Sequence, residues 1–376
     1  MAADSELGTG KVQVRSKAAL MPRSLRNLLF LAACLLALTS GTSPRAQTAD
    51  SAVSLTPGPK PPDVPVEWKQ LVGIYRYGQD KATVIILERD QRLFFRDSKG
   101  ASHQIQEQKQ TLWFDRGDGR TDAFTEDRDV TGSVIALHHL LESYTRVDAG
   151  SDPAHFYRVR PVKPIDQLRA IALAERPPEE TGPFRKPELV ELVTLDSGFR
   201  LDIRYARADN FLGTPVYSEA RAFLQRPVAE ALVRVLHKLK PLGYGLLVHD
   251  AYRPWYVTKI FWDATPAEGK IFVADPKKGS RHNRGCAVDL TLYDLASGRS
   301  VEMPGLWDEM SPRSFPNFPG GTSLERWHRD LLRRAMESEG FTVNEDEWWH
   351  FDFKDWKLYA ILDTPFEELN GAGPKR

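Results

Sequence analysis

The chain passes through three regimes of apolar and polar patterning. Residues 28–38, LLFLAACLLAL, are an unbroken apolar stretch. From about 66 to 162 short alternating runs take over: LVGIYRYG, ATVIILER, RLFFRDSKG, TLWFDRG and HFYRVRP, separated by turns rich in Gly, Asp and Lys. A period of two broken at short intervals predicts a small all-β barrel or sandwich. From about 187 to 370 the periods mix. GFRLDIRYA alternates and predicts a strand. PVAEALVRVLHKLK (227–240) sets Val228, Leu232, Val235, Leu236 and Leu239 on one helical face, with Pro227 in its first turn and PLG as its stop. YGLLVHDAYRP predicts a strand running into a turn, with Pro254 opening another helix, and CAVDLTLYD and EWWHFDF predict strands. Thr322 and Glu325 have the spacing of a capping box for a helix through Glu339, ended by Gly340. Strands and helices follow one another without βαβ regularity, which predicts an α+β domain.

Proline-rich stretches punctuate these regimes. Residues 50–65 read as one linker and 163–186 as a second, with a short helix at 165–175. The expected plan is an export segment (1–49), a linker, a small all-β domain (66–162), a second linker and an α+β domain (187–370).

Basic residues Arg15, Lys17, Arg23 and Arg26 precede the apolar stretch, and small and polar residues follow it. This is the layout of a secretory signal peptide, and a start at Met21 would give it a more ordinary head. LAAC, ending at Cys34, also resembles a lipoprotein cleavage box, although apolar residues continue beyond it. The stretch is shorter than the roughly 20 residues of a membrane span, so the mature chain is expected to carry none. Export predicts a periplasmic or extracellular protein. Cys286 is then the remaining cysteine, and no intramolecular disulfide is expected. Lysine plus arginine equals aspartate plus glutamate, 51 against 51, which argues against a nucleic-acid partner.

The candidate chemistry lies in the last regime. SRHNRGCAVDL (280–290) holds His282 and Asp289, and EWWH holds Glu347 and His350. Two imidazoles and a carboxylate are a common donor set for a catalytic zinc, with Glu347 as a carboxylate able to take a proton from water. Strand parity puts Asp289 on a face with Ala287 and Thr291, and His350 on a face with Trp348 and Asp352. Glu347 is an odd number of positions from His350, so joining them requires an irregular strand end or a bulge. In HDAYRP (249–254), Arg253 can reach a cleft and stabilise an oxyanion, or pair with Asp250 as a structural residue; His249 reads as structural.

Together these stretches resemble the D-alanyl-D-alanine dipeptidases. Ser280, His282, Gly285, Ala287 and Asp289 meet the family pattern S-x-H-x-x-G-x-A-x-D, and Glu347, Trp349 and His350 meet E-x-W-H. DIRYARADNFLGTPVY (202–217) looks like the family's substrate-side segment, and the resemblance covers roughly 190–365. It implies a zinc peptidase of the fold shared with D,D-carboxypeptidases and the Hedgehog signalling domain, built on a mostly antiparallel sheet. It further implies one zinc ion held by His282, Asp289 and His350, Glu347 as general base, Arg253 on the scissile carbonyl and Ser280 helping to hold substrate. Cys286 stands at a variable position and is not made a ligand. The implied substrate is a small D-amino-acid dipeptide, with peptidoglycan a further candidate partner. The departure is the N-terminal extension, whose W-x-x-L-V-G-x-Y opening loosely resembles lipocalin-like barrels appended to secreted hydrolases. It leaves two alternatives open: a D,D-carboxypeptidase acting on longer muropeptides, and a non-catalytic peptidoglycan-binding module.

Overall fold

The alternating runs after residue 66 close into a barrel. A short helix, α1 (Val66–Leu71), leads into eight strands: β1 (Gly73–Arg76), β2 (Thr83–Arg89), β3 (Arg92–Arg96), β4 (Ser102–Gln108), β5 (Thr111–Asp115), β6 (Thr121–Arg128), β7 (Val134–His139) and β8 (Glu142–Arg146). Each pairs antiparallel with the next, and β8 returns to β1 through Tyr75↔Arg146 and Arg76↔Thr145. Closure leaves no open sheet edge. The inward positions carry Ile86, Leu93, Phe95, Ile105, Leu112, Phe114, Phe124 and Leu137. Phe114 and Phe124 pack against Phe95 with ring centroids 4.5 and 5.4 Å away, both edge-on. The Leu71 side chain joins this core, and Arg146 donates to the carbonyls of Gln70 and Val72 at 2.7 Å, satisfying the end of α1.

The computed structural model describes residues 54–78, 82–147 and 158–371. The signal-like stretch and Cys34 lie outside them. So does the first part of HFYRVRP; the rest of that run is not a barrel strand, because Val159 packs on the core of the second region.

That region is α+β. Helix α2 (Ile165–Ala174) precedes β9 (Leu189–Glu191), the single turn α3 (Leu192–Leu195), β10 (Phe199–Leu201), β11 (Phe223–Gln225), α4 (Arg226–Leu239), β12 (Tyr244–Asp250), α5 (Trp255–Ala264), β13 (Ala287–Asp294), α6 (Ser323–Glu337), β14 (Phe341–Val343) and β15 (His350–Phe353). Five strands form a sheet in the order β10-β12-β13-β15-β14; β10 runs parallel to β12 and the other pairs are antiparallel. β9 and β11 make a separate antiparallel ribbon.

Several elements differ from expectation. GFRLDIRYA keeps only three residues of strand, because Asp202 and Arg204 leave the sheet to pair with each other. EWWHFDF is strand only from His350, and the capped helix stops at Glu337. Its box is present, with Thr322 Oγ1 accepting from Glu325 N and Glu325 Oε2 from Thr322 N. Neither proline-rich stretch hangs free. Trp327 Nε1 of α6 donates to Gly58 O at 3.0 Å, and α2 buries Ile165, Leu168 and Ala172 in the second core.

Sequence explains the position of the sheet. α4 turns Val228, Leu232, Val235, Leu236 and Leu239 inward, and α6 does the same with Leu331, Leu332, Ala335 and Met336. Each fully buried Leu or Val contributes about 1.5–3 kcal/mol. β13 is the central strand and is buried along almost its whole length. Val288, Leu290 and Leu292 share one face of it; Asp289 and Thr291 share the other.

Candidate metal centre

β13 and β15 lie side by side with Asp289 opposite His350. His282 comes from the turn just before β13. That turn ends at Gly285 in the left-handed region (φ 65°), where a Cβ would stand 2.6 Å from Leu189 Cδ2 and 3.3 Å from Gln225 N. Only glycine lets the chain reverse there and present both His282 and Asp289.

The three side chains meet at one point. His282 Nε2 is 3.0 Å from His350 Nδ1 and 3.3 Å from Asp289 Oδ1; His350 Nδ1 is 3.0 Å from the same oxygen. The outer ring nitrogens fix the tautomers. His282 Nδ1 lies 2.6 Å from Ala251 O, and His350 Nε2 lies 3.0 Å from Asp352 Oδ1, so those nitrogens carry the protons. Two imidazole lone pairs therefore face a carboxylate oxygen that is buried and has no hydrogen-bond partner. Such an arrangement repels itself unless a metal cation or a proton sits within it, and, against the pull of burial, Asp289 and Asp352 hold the His350 imidazole well above its ordinary range. Donors at about 2.0–2.1 Å around a tetrahedral ion stand roughly 3.3 Å apart, which matches this triangle. The residues thus fit a zinc-sized ion, and each histidine has the outer hydrogen bond such ligands use.

Glu347 reaches the same point by a turn. Residues 347–349 are not strand, and His350 N donates back to Glu347 O at 3.3 Å. The irregular strand end that parity required is present, and Glu347 Oε2 stands 3.6 Å from His350 Nδ1. Burial pushes the Glu347 carboxyl up to about 8, against the pull of His350 and Arg253. A bound dication would draw it down again.

Arg253 both lines the cleft and pairs with Asp250. Its Nε and Nη2 donate to Asp250 Oδ2 at 2.9 and 2.6 Å, and Nη2 is 3.9 Å from Asp289 Oδ2. Asp250 also accepts from Tyr217 Oη and from Ala251 N, so the guanidinium is held rather than neutralised into a loose pair. Phe261 lies under it, with the ring centroid 4.6 Å away. Asn283 stitches the two segments together: its Nδ2 donates to Arg253 O and its Oδ1 accepts from Ser280 N. Ser280 Oγ accepts from His282 N at 3.2 Å, which gives Ser280 a part in shaping the ligand turn. His249 is structural, buried against Trp307 with ring centroids 4.9 Å apart. Cys286 packs in the core on the parity opposite Asp289.

His282, Asp289, His350, Glu347, Arg253 and Ser280 all line one cleft of about 250 Å³. Asp308, Tyr205 and Arg281 line it too, and the sequence patterns had not singled them out. Asp308 adopts a left-handed backbone (φ 63°) and accepts from Tyr205 Oη at 2.9 Å. Burial pushes its carboxyl up to about 7, with Tyr205 pulling the other way. Positive φ on an aspartate is the kind of strain that marks such sites, but it is invisible before folding.

Comparison with known proteins places this cleft in context. The D-ala-D-ala dipeptidase family model matches residues 185–369, which hold every cleft residue named above. The D-alanyl-D-alanine dipeptidase of Escherichia coli is 34 % identical over 179 residues, covering 48 % of this chain and 91 % of that protein. The enzyme of the same name from Enterococcus faecalis is 35 % identical over 192 residues, covering 46 % of this chain and 90 % of that protein. A third, from Streptomyces coelicolor, is 35 % identical over 179 residues, covering 43 % and 89 %. The barrel precedes the matched stretch. With nearly the full length of these relatives aligned onto its second region, this chain belongs to the D-alanyl-D-alanine dipeptidase family of peptidases.

Proposed function

We propose that the chain hydrolyses the D-Ala-D-Ala dipeptide to free D-alanine, with zinc held by His282 Nε2, Asp289 Oδ1 and His350 Nδ1. The observation that carries this reading is the convergence of three unprotonated donors, a buried glutamate and a pinned arginine on one small cleft. Zinc supplies Lewis acidity there, which makes water acidic enough to attack near neutral pH. Glu347 accepts the proton from the attacking water and returns it to the departing amine. The new C–O bond forms first, and the C–N bond breaks as the oxyanion collapses and Glu347 protonates the nitrogen, leaving one carboxylate and one amine. Arg253, fixed by Asp250, donates to the carbonyl oxygen as negative charge grows on it. Held in place beforehand, it loses no orientational freedom at that moment.

Cleft size and charge support a dipeptide over a longer chain. A volume of about 250 Å³ equals that of roughly eight water molecules. A free dipeptide presents an ammonium and a carboxylate close together. Asp308 is the cleft carboxylate suited to the first, and Arg281, at the half-exposed rim, is the cation suited to the second. On the strength of residues 1–49 alone, we place the reaction outside the cytoplasm, in turnover of cell-wall peptides. Among the described residues, no helix is long and apolar enough to cross a membrane.

The test is release of D-alanine from D-Ala-D-Ala and from a ladder of longer D-Ala-D-Ala-ending peptides, with and without a zinc chelator. Release that is chelator-sensitive and falls with chain length is expected. A zinc-loaded, folded protein that leaves the dipeptide intact would overturn the reading, and a preference for longer peptides would move it to the carboxypeptidase alternative.

A further inference from the structure

Glu347 has a partner that no motif contains. It hangs from the hairpin between β14 and β15, and its carboxylate sits at the end of a long, rotatable side chain. Such a chain loses rotamer entropy when it is held to one direction, so something must hold it there. Among the described residues one side chain donates to that carboxylate: Asn344, whose Nδ2 lies 3.2 Å from Glu347 Oε2. Oε2 is also the oxygen that stands 3.6 Å from His350 Nδ1. A carboxylate oxygen has two lone pairs, so with one on the amide the other is left for a proton. Asn344 lines the same cleft as Glu347.

The neighbours settle which way the amide points. Asn344 Oδ1 accepts from Asp346 N at 3.2 Å, which leaves Nδ2 for the carboxylate. Turned over, the amide would set an oxygen against Oε2 and an NH2 against an N–H. The rest of the hairpin is pegged without this side chain. Asn344 N donates to His350 O at 2.9 Å, Trp348 N to Ser314 O at 2.8 Å, and Leu290 N to Trp349 O at 3.1 Å. These bonds are all backbone to backbone, and Trp348 and Trp349 are buried beside them. The hairpin therefore keeps its shape, and His350 its place, when the Asn344 side chain is changed. Glu345 and Asp346 are exposed, so a carboxylate released by the amide has water beside it rather than another donor.

We propose that Asn344 is a positioning residue for the hydrolysis: it holds Glu347 Oε2 toward the ligand triangle, where the attacking water gives up its proton. The proposal rests on the reading of Glu347 as the base. The amide carries no charge and moves no proton; it sets where the base stands. A base displaced by about 1 Å loses on the order of 10²-fold in rate. Metal and substrate binding are left alone, because the Asn344 side chain bonds to none of the three ligand side chains and its donor is already used on Glu347.

The test is a double-mutant cycle on the zinc-loaded full chain, with D-Ala-D-Ala as substrate and enough enzyme to read slow turnover. Asn344→Ala should lower kcat about 10- to 100-fold, with KM within about twofold and zinc content unchanged. Asn344→Asp keeps the acceptor for Asp346 N, and so the turn, but cannot donate to Glu347; it should lose at least as much. In a Glu347→Gln background there is no base to place, and both substitutions should lower kcat no further. A role in the turn alone gives the reverse: full kcat with Asn344→Asp, and a loss with Asn344→Ala that persists beside Glu347→Gln. Either of those results, or a loss that falls on KM or zinc content instead of kcat, would overturn the proposal. Full turnover by Glu347→Gln alone would remove the base itself, and the proposal with it. Asn344→Asp, which keeps size and turn, carries the test if Asn344→Ala does not fold.

Discussion

The barrel and the peptidase region spend their interiors differently. The barrel is filled with phenylalanine and aliphatic side chains, and among the described residues its fully buried charged groups are Glu88 and Glu126. The peptidase region buries His249, Asp250, Arg253, His282, Asp289, Glu325, His328 and His350, among others. Burying charge costs several kcal/mol per group unless it is paired. The barrel avoids that cost and gains a rigid closed shell. The peptidase region accepts it, offsets part of it with the Arg253–Asp250 pair and the outer histidine bonds, and leaves the Asp289 oxygen unmet at the point where a cation fits. Among the described residues, four of the five buried side-chain polar atoms without a partner lie in the peptidase region, Asp289 Oδ1 among them, and one, Glu126 Oε2, lies in the shell.

Glu347→Gln should have the largest effect on this contrast. The amide cannot take the water's proton, so kcat should fall by about 10² to 10⁴-fold while zinc content and fold are kept. Turnover with and without the substitution, beside metal analysis of both proteins, checks it. Near-normal turnover would remove Glu347 from the role of base.

The barrel counterpart is Phe114→Ala. It leaves a cavity among Phe95 and Phe124 and should cost about 3–5 kcal/mol of barrel stability. Turnover per folded molecule should stay the same, because among the described residues no barrel side chain lines the cleft. Denaturant unfolding followed beside activity separates the two, and a matching loss of kcat would show that the barrel shapes the cleft.

How much of each region the sequence shows follows from the same contrast. The donor triangle is legible because Asp289 and His350 have a strand parity that can be read, His282 stands in the turn before β13 beside a glycine that turn cannot do without, and all three fall in the motifs that carry the family resemblance. Glu347 is half legible: parity demands an irregular strand end, and only the fold supplies it. Asp308, Tyr205 and Asn283 are not legible, since their roles depend on contacts with distant segments. In the barrel, β1, β2, β3 and β5 show as apolar alternation. β4 reads SHQIQEQ, with Ile105 as its one buried side chain, so its period is lost in polar residues. The tight hairpins at Asp90–Gln91 and Lys109–Gln110 take left-handed φ values of 50–63° without the Asn-Gly signal that usually marks such turns.

Acid should loosen the peptidase region before the shell. His249 and His328 are buried, and burial holds each imidazole down at about 4 against an ordinary 6.5. Below 6.5 the unfolded chain takes up protons that the folded chain refuses. Stability is therefore fully present above 6.5, falls as the pH drops toward 4, and levels off below it. The loss across that window is on the order of 3 kcal/mol for each histidine. Hydrogen exchange at pH 7 and pH 5 resolves where it occurs. Earlier loss of protection in the barrel strands than in β12 and α6 would contradict this account.

The smallest expected effect lies at the seam, where the contrast can be sharpened most. Glu88, at the end of β2, is one of the barrel's two fully buried charges, and it is turned outward onto α6. Its carboxylate accepts from Ser323 N at 2.6 Å and from Gln91 N at 2.6 Å, while Arg326 donates to its backbone carbonyl. Ser323 is the first residue of α6, so a barrel carboxylate sits on a helix N-terminus whose own box uses Thr322 and Glu325. Glu88→Gln keeps the size and one acceptor but removes the charge. About 1 kcal/mol of docking should go, a charge-to-helix effect and no more. The amides of α6's first turn should then exchange several-fold faster, with kcat unchanged and the barrel strands as protected as before. If exchange quickened equally throughout β12 and β13, the two regions would be one cooperative body and the seam no boundary. If it did not change at all, Glu88 would owe its burial to packing alone, and the barrel's rule of excluding charge would have an exception with no electrostatic purpose.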